Sequence, residues 1–244
     1  IPTIQSGRFG IIISRYFVNN IKAGNSIVND PSIDARAFNW ETAFPDIFAA
    51  GGFDVVLGNP PYVRSNILSD RVKLYLQDNY STSHGSADLY VYFYEQGLKL
   101  LKPGGNLAYI VNNKWLKASY GEKLRQFFTE ETIFEQIVDF GHAPIFQDAD
   151  TFPCIASIRK RSNLDKTSDS SSVLICSVPR EKLADINLTQ YVQQEGFDIP
   201  WNSFTSQPWI LENSSVDELI EKIKHIGVPL KEFAGSNGMR FKML

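Results

Sequence analysis

Two cysteines and three histidines in 244 residues, with no long apolar run, deprive this chain of several kinds of chemistry. Cys154 and Cys176 lie in apolar, strand-like stretches, so both read as small buried hydrophobes of a reducing cytoplasm rather than as a disulfide framework. Neither has a metal-ligand neighbour at a useful spacing. His84, His142 and His225 lack a carboxylate or cysteine at ligand or triad spacing, and read as surface or turn residues. No apolar stretch approaches the ~20 residues that span a bilayer, and no basic segment followed by an apolar one opens the chain as a signal peptide would. The formal charge of −3 withholds the global basic footprint of a compact nucleic-acid binder. DNA contacts made partly by a separate domain remain compatible with it. No internal repeat is evident.

What is present suffices for a folded domain. With 43% apolar and 21% charged residues, the chain can bury one sizeable core and carry a smaller appendage. Strands are expected at 53–58, 106–112, 134–140, 153–159 and 173–178, and helices at 89–101 (stopped by Pro103-Gly104-Gly105) and 119–130, with Ser119 as N-cap. Residues 9–20 fit a short helix or a strand. Phe38, Trp40, Phe44 and Phe48 read as core anchors in an aromatic connector. Residues 161–172 read as a Ser-rich hairpin loop or flexible insert. From Pro179 the pattern turns mixed and polar, and a helix follows at 215–226, with apolar face Leu219, Ile220, Ile223 and Ile226. Alternating short strands and amphipathic helices predict an α/β layered fold, with a boundary near 179 dividing 1–178 from 179–244.

The most informative stretch is Phe53-Asp54-Val55-Val56-Leu57-Gly58-Asn59-Pro60-Pro61-Tyr62, a short apolar strand ending in a tight corner. A residue before proline is driven toward extended geometry, and both Asn59 and Pro60 precede one. Their carbonyls therefore point in a narrow range of directions. The Asn59 amide oxygen and the Pro60 carbonyl are neutral acceptors beside the Tyr62 ring, a combination suited to a flat group carrying an NH2, such as a nucleobase edge. In open α/β sheets ligands bind beyond the carboxyl ends of the strands, where this corner falls. Asn-Pro is also an ordinary turn signal, and the hydrophobic strand directly before it favours the functional reading.

The NPPY corner resembles the catalytic motif of amino-directed methyltransferases, above all the DNA adenine-N6 enzymes. The order of motifs is similar to the gamma-type enzymes and, more narrowly, to the type IIG restriction–modification enzymes and related phage-defence methyltransferases. The pieces that carry it are Phe38-Asn39-Trp40-Glu41 through Phe44-Pro45-Asp46-Ile47-Phe48, the Gly58–Val63 run, Ala87-Asp88-Leu89-Tyr90, Leu101-Lys102-Pro103-Gly104-Gly105 and Asn112-Asn113-Lys114-Trp115-Leu116.

The resemblance implies a partial Rossmann-like, S-adenosylmethionine-dependent methyltransferase sheet over 1–178 and the start of a target-recognition region over 179–244. It implies methylation of adenine N6 in double-stranded DNA with the target base flipped out, and fusion to an endonuclease in the type IIG case. Asn59, Pro60 and Tyr62 would hold the amine and stack on the base. Asn25, Ser26, Asn59 and Pro61 would lie on the cofactor side, with Asn25 standing where the family usually has aspartate. Phe146, with Phe152 in reserve, would be the second aromatic against the base. The family's glycine-rich, acidic loop for the methionine end of the cofactor has no counterpart before Asn25, where Ser6–Gly10 reads as a loop. The chain is accordingly expected to be a fragment, inactive by itself within an active parent. Other readings of the corner are methylation of a protein glutamine or an RNA amine, or a non-catalytic DNA-recognition piece. Arg159-Lys160-Arg161 is open to two readings, a phosphate contact or a solvated basic edge.

Overall fold

The computed structural model describes residues 20–141, 152–165, 171–183 and 185–211, with 222–223 and 225–228 beyond them. Among the described residues, six strands form one mixed sheet in the order β1-β2-β4-β3-β5-β6. They are β1 (Phe53–Gly58), β2 (Leu101–Asn112), β3 (Thr132–Asp139), β4 (Pro153–Lys160), β5 (Ser172–Ser177) and β6 (Phe197–Pro200). β1 runs parallel to β2 and β3 parallel to β5, while β4 is antiparallel to both β2 and β3. The α/β layered fold expected from the alternation of strands and helices is therefore present.

β2 begins earlier than the pattern suggested. Leu101 already pairs with Phe53, and the register shifts before Val55 meets Asn106, so Lys102–Gly105 form a bulge inside the ladder instead of a plain helix stop. At the entry to β1, Gly52 has φ 119°, and a Cβ there would lie 2.6 Å from the Leu100 carbonyl oxygen; only glycine fits.

The helices are α1 (Trp40–Ala43), α2 (Pro45–Ala49), α3 (Asp70–Asn79), α4 (Tyr90–Leu100), α5 (Glu122–Glu131) and α6 (Leu188–Glu195). One sheet face carries Leu107, Tyr109, Ile137, Cys154, Ala156 and Ile158, all buried. α4 packs closely there: a Cβ on Gly97 would lie 2.6 Å from both Leu107 and the Tyr109 hydroxyl. α5 brings Phe128 against Phe134 on the same face, with ring centroids 4.9 Å apart. On the other face, Val192 of α6 joins Val138, Phe140, Cys176 and Val178 in a second core. Both cysteines are free and buried.

Several local expectations are corrected. Ser119 opens a 3-10 turn, and α5 starts after Gly121 without a side-chain cap. The polar stretch after the corner contains α3, capped by Ser69, whose hydroxyl accepts from the Val72 N–H. The 161–171 connection is a crossover and not a hairpin, because β5 pairs with β3. Beyond residue 179 the sheet continues: α6, capped by Asn187, leads into β6 paired on β5, and the first compact unit runs to Trp209. In the second unit, Ile210–Leu244, the described residues Lys222, Ile223, His225 and Ile226 are helical, and Ile223 and Ile226 are 60% and 71% exposed. The rest of the 215–226 helix, residues 9–19 of the 9–20 segment, and His142 lie outside the described residues. Among the described residues no helix is long and apolar enough to cross a membrane.

Candidate active site

β1 ends at Gly58, opposite Tyr109 of β2, and the chain turns directly into Asn59. Asn59 and Pro61 are exposed, Pro60 is buried and Tyr62 is half-buried. Pro60 is thus packed inside the corner while Asn59 stays open to solvent. Burial pushes the Tyr62 phenol up to about 12, with Cys154 adding to the shift. At neutral pH Tyr62 is thus a neutral ring that can stack, and it does not act as a base.

Neighbouring segments brace the corner. The Leu89 N–H donates to the Val63 carbonyl at 2.8 Å, and the Ser65 hydroxyl donates to the Gly85 carbonyl at 3.1 Å. Next to Leu89, Asp88 is raised above the ordinary carboxylate range by burial, against the lowering pull of Lys114, Arg64 and the Tyr120 hydroxyl. Tyr120 in turn lies 2.7 Å from the hydroxyl of Tyr90. The charge of Lys114 thus links the Asn112–Leu116 piece to Asp88, and Tyr120, which sequence reading missed, bonds to Asp88 and Tyr90. Nothing local marks Tyr120; only the fold brings it to Asp88.

The ends of the central strands close the same rim. Asn113 donates its side-chain N–H to Asp139 at 2.8 Å, and the Gly141 N–H donates to the same carboxylate oxygen at 2.9 Å. The Asn113 backbone N–H donates to the Phe152 carbonyl at 2.6 Å, which extends the β2–β4 ladder one step. Phe152 is half-buried, and Lys114 Nζ stands 5.9 Å from its ring centroid. Phe146 lies outside the described residues.

On the expected cofactor side, Asn25 is engaged in its own loop. Its side-chain N–H donates to Asp34 at 2.8 Å, and its amide oxygen accepts the Ile27 N–H at 3.3 Å. The bond from Asn25, followed by those from Arg36, holds the Asp34 carboxyl down at about 2. The Ser26 carbonyl accepts from the Trp40 indole at 3.0 Å, fixing the loop to the aromatic connector. The amide oxygen of Asn25 keeps a second lone pair, so it can still receive one external donor.

The basic run at the end of β4 is spoken for. Arg159 grips Asp165 at 2.9 Å, Lys160 donates to the Leu101 carbonyl at 2.6 Å, and Arg161 donates to the Thr129 carbonyl at 3.4 Å. These bonds favour a structural edge over a phosphate contact. Among the described residues no group of three His, Cys, Asp or Glu side chains could hold a metal.

Residues 6–146 match the model of the Eco57I restriction-modification methylase family. The chain belongs to that family. Among its relatives, the type II methyltransferase M.BstVI of Geobacillus stearothermophilus is 29% identical over 210 residues, covering 82% of this chain and 37% of the relative. The type II restriction enzyme and methyltransferase RM.Eco57I of Escherichia coli is 30% identical over 147 residues, or 59% of this chain and 15% of that protein. The chain therefore spans well under half the length of either curated relative. A cryo-electron microscopy structure of a DrdV–DNA complex shares the fold at 18% identity, with a TM-score of 0.51 over 74% of this chain and 21% of that one.

Proposed function

We propose that the polypeptide carrying this chain transfers a methyl group from S-adenosylmethionine to N6 of adenine in double-stranded DNA, within a restriction–modification enzyme. The observation that carries this reading is the corner itself: an exposed Asn59 beside a half-buried, neutral Tyr62 at the carboxyl end of β1. Membership in a restriction–modification methylase family agrees with it.

The chemistry follows from the residue types. The adenine amine is a poor nucleophile because its lone pair is delocalised into the ring. Donating its two N–H groups to the Asn59 amide oxygen and the Pro60 carbonyl favours a more tetrahedral nitrogen with a localised lone pair. That is positioning and electrostatic stabilisation without a covalent intermediate. In-helix adenine cannot present this edge to a pocket, so the base must leave the stack, and the Tyr62 ring receives its face. Phe146 is proposed as the second aromatic surface. The bound cofactor supplies the electrophilic methyl. On its side, the free lone pair of Asn25 suits an adenosyl amine, the Ser26 backbone is fixed beside it, and the exposed Pro61 ring offers apolar surface next to Asn59.

The test is methyl transfer by the complete polypeptide onto duplex DNA, with the products resolved as modified nucleosides. Asn59→Ala is expected to lower the turnover of N6-methyladenine by about 10²–10³-fold while leaving thermal unfolding unchanged. Modified glutamine or RNA guanine without modified adenine overturns the DNA reading. Full biological activity in Asn59→Ala, with no cofactor bound by calorimetry, points to a recognition scaffold.

A further inference from the structure

We infer that a polar cavity next to the corner is a phosphate pocket for the DNA strand that carries the target base; this rests on the reading of the corner as a base-binding site. The cavity holds about 310 Å³ and is lined by Ser65, Lys73, Gln77, Ser83, His84 and Lys123 among others. Its described lining includes two lysines and no carboxylate. Its floor is firm, since Leu76, Tyr80 and Tyr92 are at most 6% exposed.

The polar groups present donors. His84 Nδ1 receives the Ser86 N–H at 3.2 Å, a bond that assigns the ring proton to Nε2 and makes that nitrogen a donor. Lys73 has an ion-pair partner in Asp70 at 3.3 Å, but the Asp70 side chain is 96% exposed. Such a pair is weak and yields to a better anion. Gln77 adds an amide, and the Ser83 hydroxyl lies 3.3 Å from that of Tyr92. Cations and neutral donors without a competing acid suit a phosphodiester, which positions DNA without reading its sequence.

The cavity is also in the right place. Ser65 lies three residues past Tyr62, so the two Cα atoms are within about 11 Å of each other. Its hydroxyl is bonded to Gly85, another residue of the cavity wall. A strand whose base sits against Tyr62 therefore brings a neighbouring phosphate to the cavity mouth. The chain's net charge of −3 makes a local site of this kind the more necessary.

The experiment uses the complete polypeptide and its Lys73→Ala/Lys123→Ala double variant. Binding to duplexes with and without the methylation site is measured between about 50 and 200 mM salt, where each phosphate contact contributes ~0.9 to the slope of log K against log salt. Loss of the pocket is expected to reduce that slope by about 1, and to weaken both duplexes to a similar degree. Both lysines line an open cavity, so thermal unfolding should not shift. A slope that does not move, in a protein that still methylates adenine, overturns the pocket and leaves the corner standing. Weakening confined to the cognate duplex also overturns it, because phosphate contacts are sequence-blind. A wild-type protein that neither binds nor methylates duplex DNA overturns both.

Discussion

Two aromatic clusters stand in different parts of the molecule, built from the same residue types and finished to different degrees. Trp115, Phe128, Phe134, Trp201, Phe204 and Trp209 lie against the central strands, each at most 8% exposed. Most of their rings meet edge to face or tilted, as in the 4.8 Å contact of Phe204 with Trp209 and the 5.3 Å contact of Trp115 with Phe128, while Phe134 and Trp201 stack at 5.1 Å. Arg125 closes one side by donating to the carbonyls of Trp115, Ala118 and Ser206 at 2.6, 3.0 and 2.9 Å. Phe38, Trp40, Phe44, Phe48 and Phe53 also form a chain of rings, with Phe38 and Trp40 4.9 Å apart and Phe44 and Phe53 5.6 Å apart. None of these five is buried. They adjoin β1, whose Val55 and Leu57 are 51% and 73% exposed and which pairs only with β2 among the described strands. Ring contacts alone do not make a core. What separates the clusters is whether structure covers the second side.

The comparison can be broken by mutation. Trp115→Ala, in the sealed cluster, is expected to cost about 3–5 kcal/mol in denaturant unfolding of this chain. Phe53→Ala, in the open one, should cost roughly 1–2 kcal/mol, within the common range for point mutants. Equal losses would mean that the two clusters are energetically alike. Leu57→Lys should stay within about 0.5 kcal/mol in this chain, as an exposed substitution does. Repeating it in the complete polypeptide sharpens the contrast, since a much larger loss there locates a cover over β1.

The smallest effect belongs to the loop at Asn25. Hydrogen bonds from Asn25 and Arg36 hold Asp34 at about 2 against an ordinary 3.8. A depressed carboxylate stabilises the fold above its unfolded value, and that contribution drains away as pH falls from about 4 toward 2. Asn25→Ala removes the largest of these bonds, so the Asp34 titration seen by NMR should move up toward 3.8 and this acid-sensitive window should narrow. An unmoved titration would show that Arg36 alone holds the carboxylate.

How much of this was legible in the sequence depended on how far apart the partners lie. The corner was readable because strand, prolines and aromatic ring are consecutive residues, and β1 has the bounds its apolar run suggested. The core strands were readable from their apolar runs for the same reason. The aromatic connector was expected to supply core anchors; its rings do pack on one another, but none is buried, because burial depends on what lies opposite. α3 and β6 escaped notice, one inside a polar stretch signalled only by Ser69 and the other a four-residue edge strand holding one aspartate and a proline. The Asp88–Tyr120 contact spans 32 residues and carries no local signature. The basic run 159–161 looked available because its acceptors are two backbone carbonyls and Asp165, and no spacing rule reveals a carbonyl.

The bonds on either side of residues 142–151 have a consequence for the length of the sequence between them. Gly141 is tied to Asp139, Phe140 donates to the Pro153 carbonyl at 3.1 Å, and Phe152 is tied to Asn113. The two feet of that segment are thus fixed next to each other whatever runs between them. Doubling the length of a closed loop costs only about 0.6 kcal/mol in closure entropy. A change in the length of the sequence between Gly141 and Phe152 therefore leaves the hydrogen bonds that end β3 and begin β4 in place.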